Sequence, residues 1–193
     1  PSLAVVFDHY RPRLKKMVWL RLDRRLQGRV DPSDVVQEAY IDLARELPAY
    51  AEKRSIPMFL WMRLVTGQRL MRLHRQHLGA EMRDASREVS IHQANLPQAN
   101  SASMAVALLG NDTSAPRAAM RLEVQQQLQE ALNSMAPIDR EIIALRNFEQ
   151  LENAEAAEVL GLSVAAARKR YVRALKRLQD ILSAIPGLID DES

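Results

Sequence analysis

The sequence predicts an all-α protein: two small helical domains joined by a flexible linker, the second containing a helix-turn-helix. Three observations carry this expectation. Hydrophobic residues make up 47% of the 193 and aromatics only 5%, and the prevalence of Ala, Leu, Arg and Gln favours helix over sheet. Apolar residues recur at helical spacing through long stretches at both ends of the chain. No alternating strand pattern with hairpin-type turns interrupts them.

Residues 3–27 read as a basic amphipathic helix pair or one interrupted helix, with Leu14, Met17, Val18 and Leu22 on one side. Pro12 is expected near a helix start or at a kink, and Gly28 as a stop. Asp31-Pro32 then offers an N-cap followed by proline at the first helical position. Val35, Ala39 and Leu43, with Val36 and Leu47 beside them, form the apolar stripe of this second helix. Asp34, Glu38 and Asp42 recur every four residues, which aligns three carboxylates in one row. Such a row is either a solvated face or a surface for a partner. Pro48 is expected to end the helix and 48–57 to form a proline-bounded loop.

A third helix is expected from Met58 to about Gln76, with Phe59, Met62, Val65 and Arg69 along one side and Gly67 as a modest local cost. Residues 53–80 contain no acid and carry Lys53, Arg54, Arg63, Arg69, Arg72 and Arg75 with His74 and His77. Residues 84–117 are rich in Ser, Asn, Gln and Ala, with a short apolar island at 104–109; they read as the linker, with room for one brief helix. The expected domains are therefore 1–83 and 118–193.

Residues 151–178, LENAEAAEVLGLSVAAARKRYVRALKRL, sort their charges by sign. Acids sit before the Gly-Leu-Ser and bases after it. Asn153 is a candidate cap for the first short helix, Gly161 for the left-handed turn, and Ser163 for the cap of the next helix. Two short helices about a glycine turn match a helix-turn-helix. Ala167, Tyr171, Ala174 and Leu178 then form a buried stripe, while Ala165, Ala166, Lys169, Arg173 and Lys176 point the opposite way, flanked by Arg168, Arg170 and Arg177. That outer face is a cationic ridge suited to phosphate neutralisation.

Two stretches also carry a resemblance. Leu132, Met135, Arg140, Glu141, Ile142, Ile143, Leu145 and Arg146, followed by the helix-turn-helix, resemble the carboxy-terminal domain of bacterial RNA polymerase sigma factors of the extracytoplasmic-function group. Asp34, Val35, Val36, Gln37, Glu38 and Asp42 resemble that family's core-binding helix, and Trp61, Met62 and Val65 its promoter-reading helix. Gln68 stands where the family has Asn, and Arg72 where it has Asp. The recognition helix begins Val164-Ala165-Ala166-Ala167, poor in groups that hydrogen-bond base edges.

The resemblance implies a subunit that docks on core RNA polymerase through Asp34, Val35, Gln37, Glu38 and Asp42. It implies opening of the −10 element by Tyr50, Arg54, Ser55, Trp61, Gln68, Arg69, Arg72 and Arg75. It further implies reading of the −35 element by Ser163, Val164, Ala166, Arg168, Lys169, Arg170, Arg173 and Lys176, a linker that threads the polymerase, and an anti-sigma factor as a further partner. A stand-alone helix-turn-helix regulator binding DNA as a dimer, and a helical adaptor binding only protein, remain the alternatives.

Other chemistry finds little support. Phe59 reads as core, whereas Tyr50 and Trp61 read equally as core or as platforms for unpaired bases. His74, His77 and Glu81 share a helical face, but DNA contact or solvation suits this Arg-rich stretch better than a metal. No glycine loop for phosphate, nucleophile triad or paired-carboxylate site is present, so neither an enzyme nor a cofactor is expected. Cysteine is absent, as suits a reducing cytoplasm. No apolar run reaches membrane-spanning length, so membrane insertion is not expected. The first residue is Pro1 rather than Met, so a trimmed start is expected.

Overall fold

The computed structural model describes residues 2–79, 96–110, 118–186 and 188, and the chain divides into two compact units, 1–97 and 98–193. In the first, helices α1 (Leu3–Arg21), α2 (Pro32–Lys53) and α3 (Met58–Leu78) pack against one another. Their shared core comprises Phe7, Leu14, Met17, Val18, Leu20, Val35, Val36, Ala39, Leu43, Phe59, Met62, Val65 and Leu70. Asp31 caps α2 as expected, its carboxylate accepting from Ser33 N–H at 2.7 Å.

Pro48 departs from expectation, and Pro12 lies inside a helix rather than near its start. α1 runs through Pro12, and α2 runs through Pro48 to Lys53, so the loop shrinks to residues 54–57. Each proline is exposed, where water can serve the carbonyl that loses its partner. The last turn of α2 is further held from outside: the Tyr50 ring stacks on Trp61 at 4.3 Å and 12°, and its hydroxyl donates to the Ile56 carbonyl at 2.8 Å. Arg54 then closes the helix at φ 36°, in the left-handed region.

The cost of Gly67 has a packing reason. A Cβ there would run into the Leu96 side chain, so the missing side chain is the space that Leu96 fills.

The second unit contains α4 (Ser101–Leu109), α5 (Ala118–Asn133), α6 (Pro137–Ile143), α7 (Asn153–Leu160) and α8 (Val164–Ala184). Residues 101–109, expected within the linker, form a capped helix that packs on α5 with Met104 and Ala105 fully buried. Asn100 accepts from Ser103 N–H at 2.7 Å, and Ala99 N–H donates to Glu141 of α6 at 3.0 Å. Residues 84–95 and 111–117 of the expected linker lie outside the described residues. The remaining core draws on Leu128, Leu132, Met135, Ile142, Ile143, Leu145, Leu151, Ala156, Ala157, Ala167, Ala174 and Leu178. α6 passes into one π turn, Ala144–Phe148.

Candidate nucleic-acid interface

In the second unit, α7 and α8 form a helix-turn-helix. The cap of α7 is Glu152 rather than Asn153, in a reciprocal capping box with Glu155, whose carboxylate accepts Glu152 N–H at 2.8 Å. Gly161 makes the turn at φ 64° and ψ 33°, and the Ser163 hydroxyl accepts Ala166 N–H at 3.1 Å. These contacts fix where α8 begins, and the start decides which side chains face outward. Ala167, Ala174 and Leu178 are buried and Tyr171 is half-buried. Ser163, Val164, Ala165, Ala166, Arg168, Lys169, Arg173, Lys176 and Arg177 are exposed.

Arg170 is the exception on this helix. Its guanidinium lies 2.7 Å from the Asp139 carboxylate of α6, so it braces the unit rather than standing on the ridge. The Tyr171 hydroxyl donates to Asn147 at 3.0 Å, and Arg146 lies 5.3 Å over the Tyr171 ring. Arg146 also donates to the Leu151 carbonyl at the entry to the helix-turn-helix. Arg140 donates to the Leu132 carbonyl at 3.1 Å. Arg140 thus ties α6 to the end of α5, and Arg146 ties the entry of the helix-turn-helix to Tyr171 of α8.

The first unit treats its charges differently. Asp34, Gln37 and Glu38 are exposed on α2, but Val35 is in the core and Asp42 is 5% exposed. The expectation of a fully solvent-facing acid row thus fails at Asp42, and Val35 offers no surface to a partner. The cause lies on α3: Arg69 donates to Glu38 at 2.6 Å, and Arg72 lies 2.5 Å from Asp42. Gln68, Arg75, Arg54 and Ser55 are exposed, whereas Trp61 is buried beneath Tyr50 and Phe59 is in the core.

His74 faces inward rather than towards solvent, and its Nε2 accepts Asp23 N–H at 3.2 Å. Desolvation by burial holds its pKa below the ordinary value. His77 is exposed and Glu81 lies outside the described residues. Among the described residues no group of three His, Cys, Asp or Glu could hold a metal ion, and no helix is long and apolar enough to cross a membrane.

Sequence reasoning missed Asp139, Asn147 and the α2–α3 ion pairs. A signal for the last exists: acids on one helix and bases on the next, separated by 31 residues for Glu38–Arg69 and 30 for Asp42–Arg72.

Residues 125–178, a span that contains the helix-turn-helix, match the family described as Sigma-70, region 4. The chain is similar to CnrH, solved in complex with the cytosolic domain of CnrY, with 21% identity, 94% of this chain and 86% of that chain covered, and a TM-score of 0.50. It is also similar to the sigma factor RpoE of Bartonella quintana, solved with the anti-sigma factor NepR, with 19% identity, 94% of each chain covered and a TM-score of 0.49. No curated protein matches the chain.

Proposed function

We infer that this chain is a sigma factor of the extracytoplasmic-function group, which joins core RNA polymerase and directs promoter-specific transcription initiation. One observation carries the reading: the region 4 match at 125–178 coincides with a helix-turn-helix whose second helix exposes a cationic ridge. In a helix-turn-helix the start of the recognition helix meets base edges and later turns drift to the backbone. Ser163, Val164, Ala166, Arg168 and Lys169 accordingly face the bases of the −35 element, and Arg173 and Lys176 its phosphates. Arg170 supports them through Asp139.

In the amino-terminal unit, the exposed Asp34, Gln37 and Glu38 of α2 meet the polymerase. Arg54, Ser55, Gln68 and Arg75, with the outer face of Tyr50, meet the −10 element as it opens. Trp61 backs Tyr50, and Val35 and Asp42 support α2 from within. The amino-terminal domain at 1–83 and a carboxy-terminal domain that includes α4 are joined by a segment that threads the polymerase. A protein partner of the anti-sigma kind belongs to this reading, and the similar CnrH was solved in complex with the cytosolic domain of CnrY. The chain works in the cytoplasm and brings no active site or cofactor of its own.

Reconstitution tests this. Core polymerase with the chain should start transcripts at discrete promoters selected from genomic DNA, whereas core polymerase alone should not. Binding to palindromic DNA by the chain alone, without any promoter-dependent transcript, would replace this reading with that of a stand-alone regulator.

A further inference from the structure

The acid-free stretch of α3 lies against the acid row of α2, and two of its arginines, Arg69 and Arg72, meet two carboxylates of that row, Glu38 and Asp42. Arg69 donates Nε and Nη2 to Glu38 Oε2 at 2.9 and 2.6 Å, and its Nη1 lies 3.7 Å from Asp42. Arg72 Nη2 lies 2.5 Å from the same Asp42 oxygen, and Arg45 3.6 Å from the other. The Asp42 side chain is 7% exposed, against 42% for Arg72 and 31% for Arg69. A carboxylate so enclosed points at the arginines of its own fold, not at an outside surface. The guanidiniums, by contrast, keep one side towards solvent.

We propose that Glu38 and Asp42 are specificity-determining residues of the amino-terminal unit. By holding Arg69 and Arg72 they keep phosphate attraction low on this face of α3, and leave discrimination to the exposed Gln68 and its polar neighbours. Phosphate contacts position a protein but carry no sequence information, and they raise affinity for every sequence alike. With those two arginines released, the helix would hold all nucleic acid more tightly and distinguish less. The role in promoter choice rests on the reading of α3 as a DNA-contacting helix; the masking of the two arginines does not.

The test uses the full chain without polymerase, binding labelled oligothymidylate across a salt series. Glu38→Gln keeps the shape of an exposed side chain and frees Arg69. One added phosphate contact on a single strand should steepen the slope of log K against log salt by about 0.7 and raise affinity about fivefold near 0.1 M salt. Adding Arg69→Gln should cancel the gain. Asp42→Asn should act in the same direction through Arg72, with helicity by circular dichroism showing that the unit is folded, and Arg72→Gln should reverse it.

With reconstituted polymerase, the ratio of promoter to scrambled DNA binding should fall several-fold in Glu38→Gln. Both DNAs meet the same holoenzyme, so weaker polymerase docking cancels in that ratio. An unchanged salt slope in Glu38→Gln, or a gain that Arg69→Gln fails to cancel, overturns the masking. A steeper slope with an unchanged promoter ratio overturns the specificity role. Failure of the sigma-factor reading looks different: the parent chain then directs no transcription, while the salt slopes still decide the masking.

Discussion

α3 and α8 are each 21 residues long and both are rich in arginine, yet α3 buries or pairs most of its arginines and α8 exposes most of its cations. On α3, Arg63 and His74 are buried, and Arg69 and Arg72 are held by carboxylates of α2. On α8, Arg168, Lys169, Arg173, Lys176 and Arg177 are exposed, and Arg170 is held by Asp139. The neighbouring helix makes the difference. α2 brings an acid row alongside α3, whereas the acids of α7 precede the turn and keep to its own side. Charge counted along a sequence is therefore not charge available to DNA.

The comparison breaks most visibly at the aromatics. Trp61 of α3 is buried and Tyr171 of α8 is half-buried. Trp61→Ala should cost about 3–5 kcal/mol of stability, as large-to-small core changes do, whereas Tyr171→Ala should cost clearly less. Tyr50→Phe retains the ring stack and loses the hydroxyl bond to Ile56, for a loss of about 0.5–1.5 kcal/mol. Urea unfolding of each variant measures these costs, and equal losses at Trp61 and Tyr171 would remove the contrast.

A smaller effect separates neighbours on α8. Lys169→Ala should cost on the order of 1–3 kcal/mol at particular base pairs of the −35 element, as the loss of a base contact does. Arg170→Ala should instead lower the stability of the carboxy-terminal unit by about 1 kcal/mol, and Asp139→Asn should reproduce that loss. Binding to a panel of −35 variants, alongside thermal unfolding, distinguishes the two. A base-specific loss from Arg170→Ala would mean that it leaves Asp139 when DNA arrives.

The smallest effect is a pH dependence confined to the amino-terminal unit. His74 accepts Asp23 N–H only when neutral, and burial holds its folded pKa below the unfolded value. The unfolded chain therefore takes up the proton first. Stability from this group is complete above the unfolded pKa near 6.5 and is lost as pH falls through and below it. Unfolding midpoints at about pH 7.5 and 5.5 should show the loss, and His74→Gln should flatten it. A slope that persists in His74→Gln would assign the effect elsewhere.

Local chemistry was the most legible part of this molecule. Ser163, Gly161 and Asp31 do in the structure what their residue types suggest, because caps and turns are set within a few residues. Pro48 misled because a proline's local cost was outweighed by packing between Tyr50 and Trp61, 11 residues apart in sequence. The roles of Asp42, Arg69, Arg72 and Arg170 were illegible for a related reason. Their partners lie about 30 residues away, and periodicity on one helix does not reveal what faces it. The island at 104–109 was visible as apolar, but its burial against α5 depends on tertiary contact.

The central claim is that α8 offers its cations to phosphate while α3 withholds Arg69 and Arg72. The direct measurement is the salt dependence of promoter binding by the reconstituted polymerase, comparing Arg173→Ala/Lys176→Ala with Arg69→Ala/Arg72→Ala. The first pair should lower the slope by about two units, roughly 0.9 for each lost duplex contact, equally on all promoters. The second should leave the slope almost unchanged. Equal losses of slope from the two pairs would contradict the account, since α3 would then be giving its arginines to DNA as freely as α8.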